Sequence, residues 1–64
     1  MTQKELSYLE DAIGHEKNIV KICEESIKNL SDESLRIFIT NEIEVHQNLK
    51  ARLLNLLEDK ANEW

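Results

Sequence analysis

The feature that most constrains this chain is what it lacks: 64 residues contain no proline and one glycine, Gly14. Those two residues punctuate turns and end helices. A chain nearly free of them, and rich in Leu, Ile, Glu, Lys and Asn, is predicted to form long helices. No window alternates apolar and polar residues long enough for a strand. At this length there is one domain, spanning residues 1–64.

Helix 1 is predicted over residues 3–29. Thr2-Gln3-Lys4-Glu5 reads as a capping box, in which Thr2 accepts a free N–H and Glu5 reaches back. The apolar stripe runs Leu6, Leu9, Ile13, Val20, Cys23, Ile27, Leu30, at spacings of three or four with one longer gap. Glu16 fills that gap, and Ala12 and Ile19 widen the stripe. Ser31-Asp32-Glu33 is the best internal start signal, with Ser31 as cap and acids in the first turn. Helix 2 is predicted over residues 32–61. It carries Leu35, Phe38, Ile39, Leu49, Leu53, Leu56 and Leu57 on one face, flanked by Ile43, Val45 and Leu54. Glu42 and His46 fall near the centre of that face. Trp64 is expected to fold back on the bundle.

Each helix is expected to be roughly 42 Å long at about 1.5 Å per residue. A connection of two or three residues makes neighbours antiparallel, so the expected fold is an all-α, two-helix hairpin. Its stripes are wider than one seam, with Ile19, Ile22, Ile37, Ile43 and Leu54 outside it. Chains this short rarely gain more than about 3–5 kcal/mol from a single core. A homodimer, with two hairpins forming a four-helix bundle, is the expected remedy. Docking on a larger regulatory partner is the alternative.

Charge and composition exclude several functions. There are 13 acids against 8 bases, a net charge of −5, and phosphate binding needs a basic face. No nucleic-acid partner is therefore expected. No apolar run approaches the about 18 residues of a membrane span. The run MTQKELSYLEDA has no apolar core of a signal peptide, so secretion by that route is not expected. A single cysteine, Cys23, makes neither an internal disulfide nor a Cys-rich zinc site. It stands at a seam position as a small apolar residue. Catalysis is not expected, because no nucleophile–base pair stands at helical spacing.

The polar residues inside the stripes are the candidate site. Charged side chains are rarely buried unless paired or metal-bound. Glu42 and His46 are one turn apart on one side of a helix. Folded back at residue 31, Glu16 lies at a similar height. In a twofold dimer the set becomes four carboxylates and two imidazoles, the composition of a carboxylate-bridged di-iron or di-manganese centre. The alternative is a Glu–His polar layer that fixes the register of the bundle. His15 is expected on the surface. Glu24 with Lys28, and Asp32 with Arg36, are expected surface pairs. Gly14, in mid-helix, is expected to permit a close crossing or a bend.

Gly14-His15-Glu16-Lys17-Asn18, then Ser34-Leu35-Arg36, Glu42, His46-Gln47 and a terminal tryptophan together resemble the spore coat protein F family, of the ferritin-like superfamily. The resemblance runs from about Tyr8 to Trp64. It implies a ferritin-like fold, a structural role in bacterial spores, a cytoplasmic or spore-associated location and a protein partner in the spore coat. Metal-binding ferritin-like proteins use a Glu from one helix and Glu-x-x-His from the next. Glu16 matches the first, and Glu42 with His46 the second, with iron or manganese as the implied metal. The chain departs from that pattern: His46 follows Glu42 by four residues, and Ile43 stands three before it.

Overall fold

The computed structural model describes residues 1–62, as two helices and no strand among them: α1, Gln3–Ile27, and α2, Glu33–Ala61. They fold back on each other into a single layer measuring 49 × 15 × 11 Å. The all-α hairpin follows directly from a sequence that offers helix formers and almost no breakers. The expectation for Trp64 lies outside the described residues.

Helix α1 starts as its capping box dictates. The Glu5 amide donates to Thr2 Oγ1 at 3.1 Å, and the Thr2 amide donates to Glu5 Oε1 at 2.8 Å. Two free N–H groups are satisfied reciprocally. The Thr2 amide first, and the Thr2 hydroxyl second, hold the Glu5 carboxyl below its usual range. No helix of the described residues is long and apolar enough to cross a membrane.

The turn differs from expectation in three respects. Helix α1 ends at Ile27, two residues early, and the connection is five residues, 28–32. Its cap is Asp32, not Ser31: the Asp32 carboxylate accepts from the Leu35 amide at 3.0 Å. An aspartate caps as well as a serine and adds negative charge at the helix's positive end. Arg36 does not pair with Asp32. Its guanidinium Nη1 donates to the carbonyls of Ile27, at 2.6 Å, and Leu30, at 2.9 Å. These carbonyls belong to the end of α1 and the turn, where acceptors lack helical partners and carry negative partial charge. Arg36 thus ties the first turn of α2 to the end of α1. Nor does Glu24 pair with Lys28 within 4 Å. Arg36→Ala is expected to cost about 1 kcal/mol. Urea unfolding should show a lower midpoint at an unchanged slope.

Packing between two cylinders covers only a strip. Val20 is the one buried hydrophobic residue among those described, at 7% exposure. Leu6, Leu9, Ile13, Cys23 and Ile27 of α1 are half-buried, as are Ile39, Leu49, Leu53 and Leu57 of α2. Leu35, Phe38 and Leu56, expected on the seam of α2, are exposed. Ile19 and Ile43, expected outside it, are half-buried. The seam of α2 is therefore rotated toward Ile43, which leaves Phe38 and Leu56 on a flank. Gly14 serves neither a close crossing nor a left-handed backbone. A Cβ built there meets nothing within 4 Å, and its φ is not positive.

Candidate functional site

Among the described residues, a Glu–His cluster interrupts the seam at the middle of both helices. Glu16 sits near the midpoint of Gln3–Ile27, and His46 near the midpoint of Glu33–Ala61. The antiparallel fold brings them face to face across 30 residues of sequence. His46 Nδ1 lies 2.5 Å from Glu16 Oε2, and His46 Nε2 lies 3.5 Å from Glu42 Oε2. The first is a hydrogen bond with Nδ1–H as donor. The second is an ion-pair distance, longer than a good hydrogen bond. The three candidate residues read from the sequence are thus brought together by the fold.

Exposure grades across the group. The Glu16 side chain is 13% exposed, His46 23% and Glu42 38%. Glu16 is innermost, packed between the helices, and Glu42 opens onto one face of the hairpin. The hydrogen bond to Glu16 raises the His46 pKa above its ordinary value. The negative fields of Glu16 and Glu42 add to this, and burial opposes it. A protonated imidazole donates from both ring nitrogens, so the ring bridges two carboxylates with both nitrogens in use.

That geometry limits what one chain can coordinate. A metal ligand must offer a nitrogen lone pair. In this arrangement Nδ1 is committed to Glu16 and Nε2 faces Glu42. Each ring nitrogen thus faces its own carboxylate, at 2.5 Å and 3.5 Å. Among the described residues, no group of three or more His, Cys, Asp and Glu side chains could hold a metal ion. A single hairpin therefore does not fit the di-iron or di-manganese set.

The other residues singled out from the sequence stand apart from this cluster. His15 is exposed on α1, and Cys23 is half-buried on the seam. Arg36 was legible only as a charge partner of Asp32. The signal that identifies its real role is positional: a guanidinium one turn into a helix can reach the free carbonyls of the preceding helix across a short turn. Comparison with family models, with curated proteins and with solved structures finds no match.

Proposed function

We propose that the chain is a non-catalytic assembly module: a helical hairpin that pairs with a second copy to make a four-helix bundle, with Glu16, His46 and Glu42 as its central polar layer. One observation carries this reading. Among the described residues the hairpin buries a single hydrophobic one, while Tyr8, Ile22, Ile37, Phe38, Val45, Leu54 and Leu56 are exposed. Its accessible surface is 5066 Å², against about 4,200 Å² for a compact protein of 7.5 kDa. The excess is total surface, and the exposed large hydrophobic residues within it are what call for a covering partner. The resemblance to spore coat protein F supports a structural role in a bacterial spore, with the bundle as the unit that further coat proteins contact.

A second reading is a metal-binding bundle, favoured by the convergence of Glu16, His46 and Glu42 at one height. It requires two chains, since one does not supply a ligand set. Iron or manganese would then have to displace the proton that His46 shares with Glu16.

Sedimentation equilibrium at tens of micromolar, with metal analysis on the same sample prepared without chelator, tests both. A mass twice 7.5 kDa with no bound metal is the expected result. A clean monomer defeats self-association and favours docking on a different protein. A dimer carrying stoichiometric iron or manganese selects the second reading.

A further inference from the structure

Helical periodicity sorts five of the exposed large hydrophobic residues, with half-buried Ile19, onto one side of the hairpin. At 100° per residue, Tyr8, Ile19 and Ile22 lie roughly 90–150° from the seam line of α1, all on the same flank, with Ile22 furthest round. Phe38, Val45 and Leu56 lie roughly 80–100° from the seam line of α2. In an antiparallel pair these two flanks point the same way. The structure agrees at the open end, where Tyr8 and Leu56 line one cleft of about 510 Å³. Leu54 falls on the opposite flank, and Ile37 points away from α1.

Charge is distributed to match. Glu10, Glu24, Glu25, Glu33, Glu44 and Glu58 fall on the opposite flank or the back by the same periodicity. Of the acids on the apolar side, Glu5 lines the cleft with Tyr8 and Leu56 and accepts from the Thr2 amide, and Glu42, near the middle, is paired with His46. A chain with net charge −5 can approach its own copy on this side with least repulsion.

Size and symmetry select the occupant. Closing two hairpins to the surface of a compact protein of twice the mass removes about 3,000 Å², the size of an obligate homodimer interface. The polar cluster also sits at mid-height on both helices. A twofold axis along the bundle, or across its centre, therefore sets the cluster level with its own copy. An off-centre cluster would meet an apolar layer instead in a head-to-tail pairing.

We infer that the side carrying Tyr8, Ile19, Ile22, Phe38, Val45 and Leu56 is the twofold interface with a second copy of this chain, and that the Glu16–His46–Glu42 clusters of both copies form one polar layer at its centre. This rests on the self-association proposed above. The partner copy completes the layer, because Glu42 in one hairpin still has a carboxylate 38% exposed to solvent.

The test is Val45→Glu against Ile37→Glu, read by sedimentation equilibrium. Val45→Glu is expected to raise the dimer dissociation constant by about 100-fold or more, and Ile37→Glu to leave it unchanged. Dissociation by Ile37→Glu with Val45→Glu still dimeric overturns the assignment of the face. In case Val45→Glu fails to fold, isotope-filtered NOE spectra of a half-labelled wild-type sample decide between the two sides directly. Inter-chain contacts from Tyr8, Phe38 and Val45 support the interface; inter-chain contacts from Ile37 and Leu54 overturn it. A wild-type monomer at tens of micromolar instead removes the self-association reading itself, a different outcome from a dimer that uses the other side.

Discussion

Replacing the whole polar layer, Glu16→Leu, Glu42→Leu and His46→Leu together, is expected to raise the melting temperature by about 10 °C or more. Removing His46 alone should lower it. The two results have one cause. Taking charged groups out of water costs more than their attraction returns unless each is well paired, so apolar residues of similar volume do better in the same space. Breaking the set is worse than either. Without His46, the Glu16 carboxylate, 13% exposed between the helices, loses its hydrogen-bond donor and keeps Glu42 as a like-charged neighbour. The triple variant should also lose definition. With one continuous Leu seam, hairpins can slide by a turn, and sedimentation velocity should show a broader distribution than the single dimer expected of the wild type. Thermal unfolding followed by circular dichroism reads the first effect. A triple variant that melts below the wild type would mean that the layer is solvated in the assembled protein and that no copy covers it.

Much of this architecture was legible in the residues, and the failures have specific physical causes. The absence of proline and the single glycine left helices as the only economical choice, and the Thr2–Glu5 box marked the first start to the residue. Glu16, Glu42 and His46 could be placed at one height because rise per residue is fixed, so that counting from the turn is a ruler. The turn was less legible. Ser31 and Asp32 are both good caps, and adjacent candidates differ by less than a kilocalorie. Arg36 bonds to Ile27 and Leu30 across the turn, a contact between elements that no local pattern encodes. The rotation of the α2 seam was hidden for a related reason. Its stripe spans Phe38, Val45, Leu49 and Leu56 as well as Ile39, Leu53 and Leu57, and periodicity gives the width of a stripe without dividing it between two neighbours. That excess width is the sequence feature on which the proposed self-association rests. The direct imidazole–carboxylate contact with Glu16 depends on rotamers at the crossing, which spacing alone does not fix.

The stability of the protein is expected to fall as pH rises from about 6 to about 8, opposite to the behaviour of a fold held by salt-bridged carboxylates in acid. His46 is responsible. Its pKa in the folded chain lies above the ordinary histidine value, first because it donates to Glu16 and then because Glu16 and Glu42 surround it with negative charge. A group whose pKa is raised on folding binds its proton more tightly in the native state. The stabilisation it gives is fully present below the unfolded pKa, about 6.5, and is lost as pH climbs through the raised folded value. Above that value the neutral ring still bonds to one carboxylate, but two carboxylates then share a half-buried site without a compensating cation. Melting temperature measured across this range should decline in the wild type and stay nearly level in His46→Gln. Glu16→Gln should move the decline to lower pH, because the largest cause of the raised pKa is gone. His15 is exposed on α1, away from the Glu16–His46–Glu42 cluster, so His15→Gln should leave the decline in place. If His15→Gln abolished it and His46→Gln did not, the mid-height cluster would have no part in holding the fold, and the polar layer would lose its energetic basis.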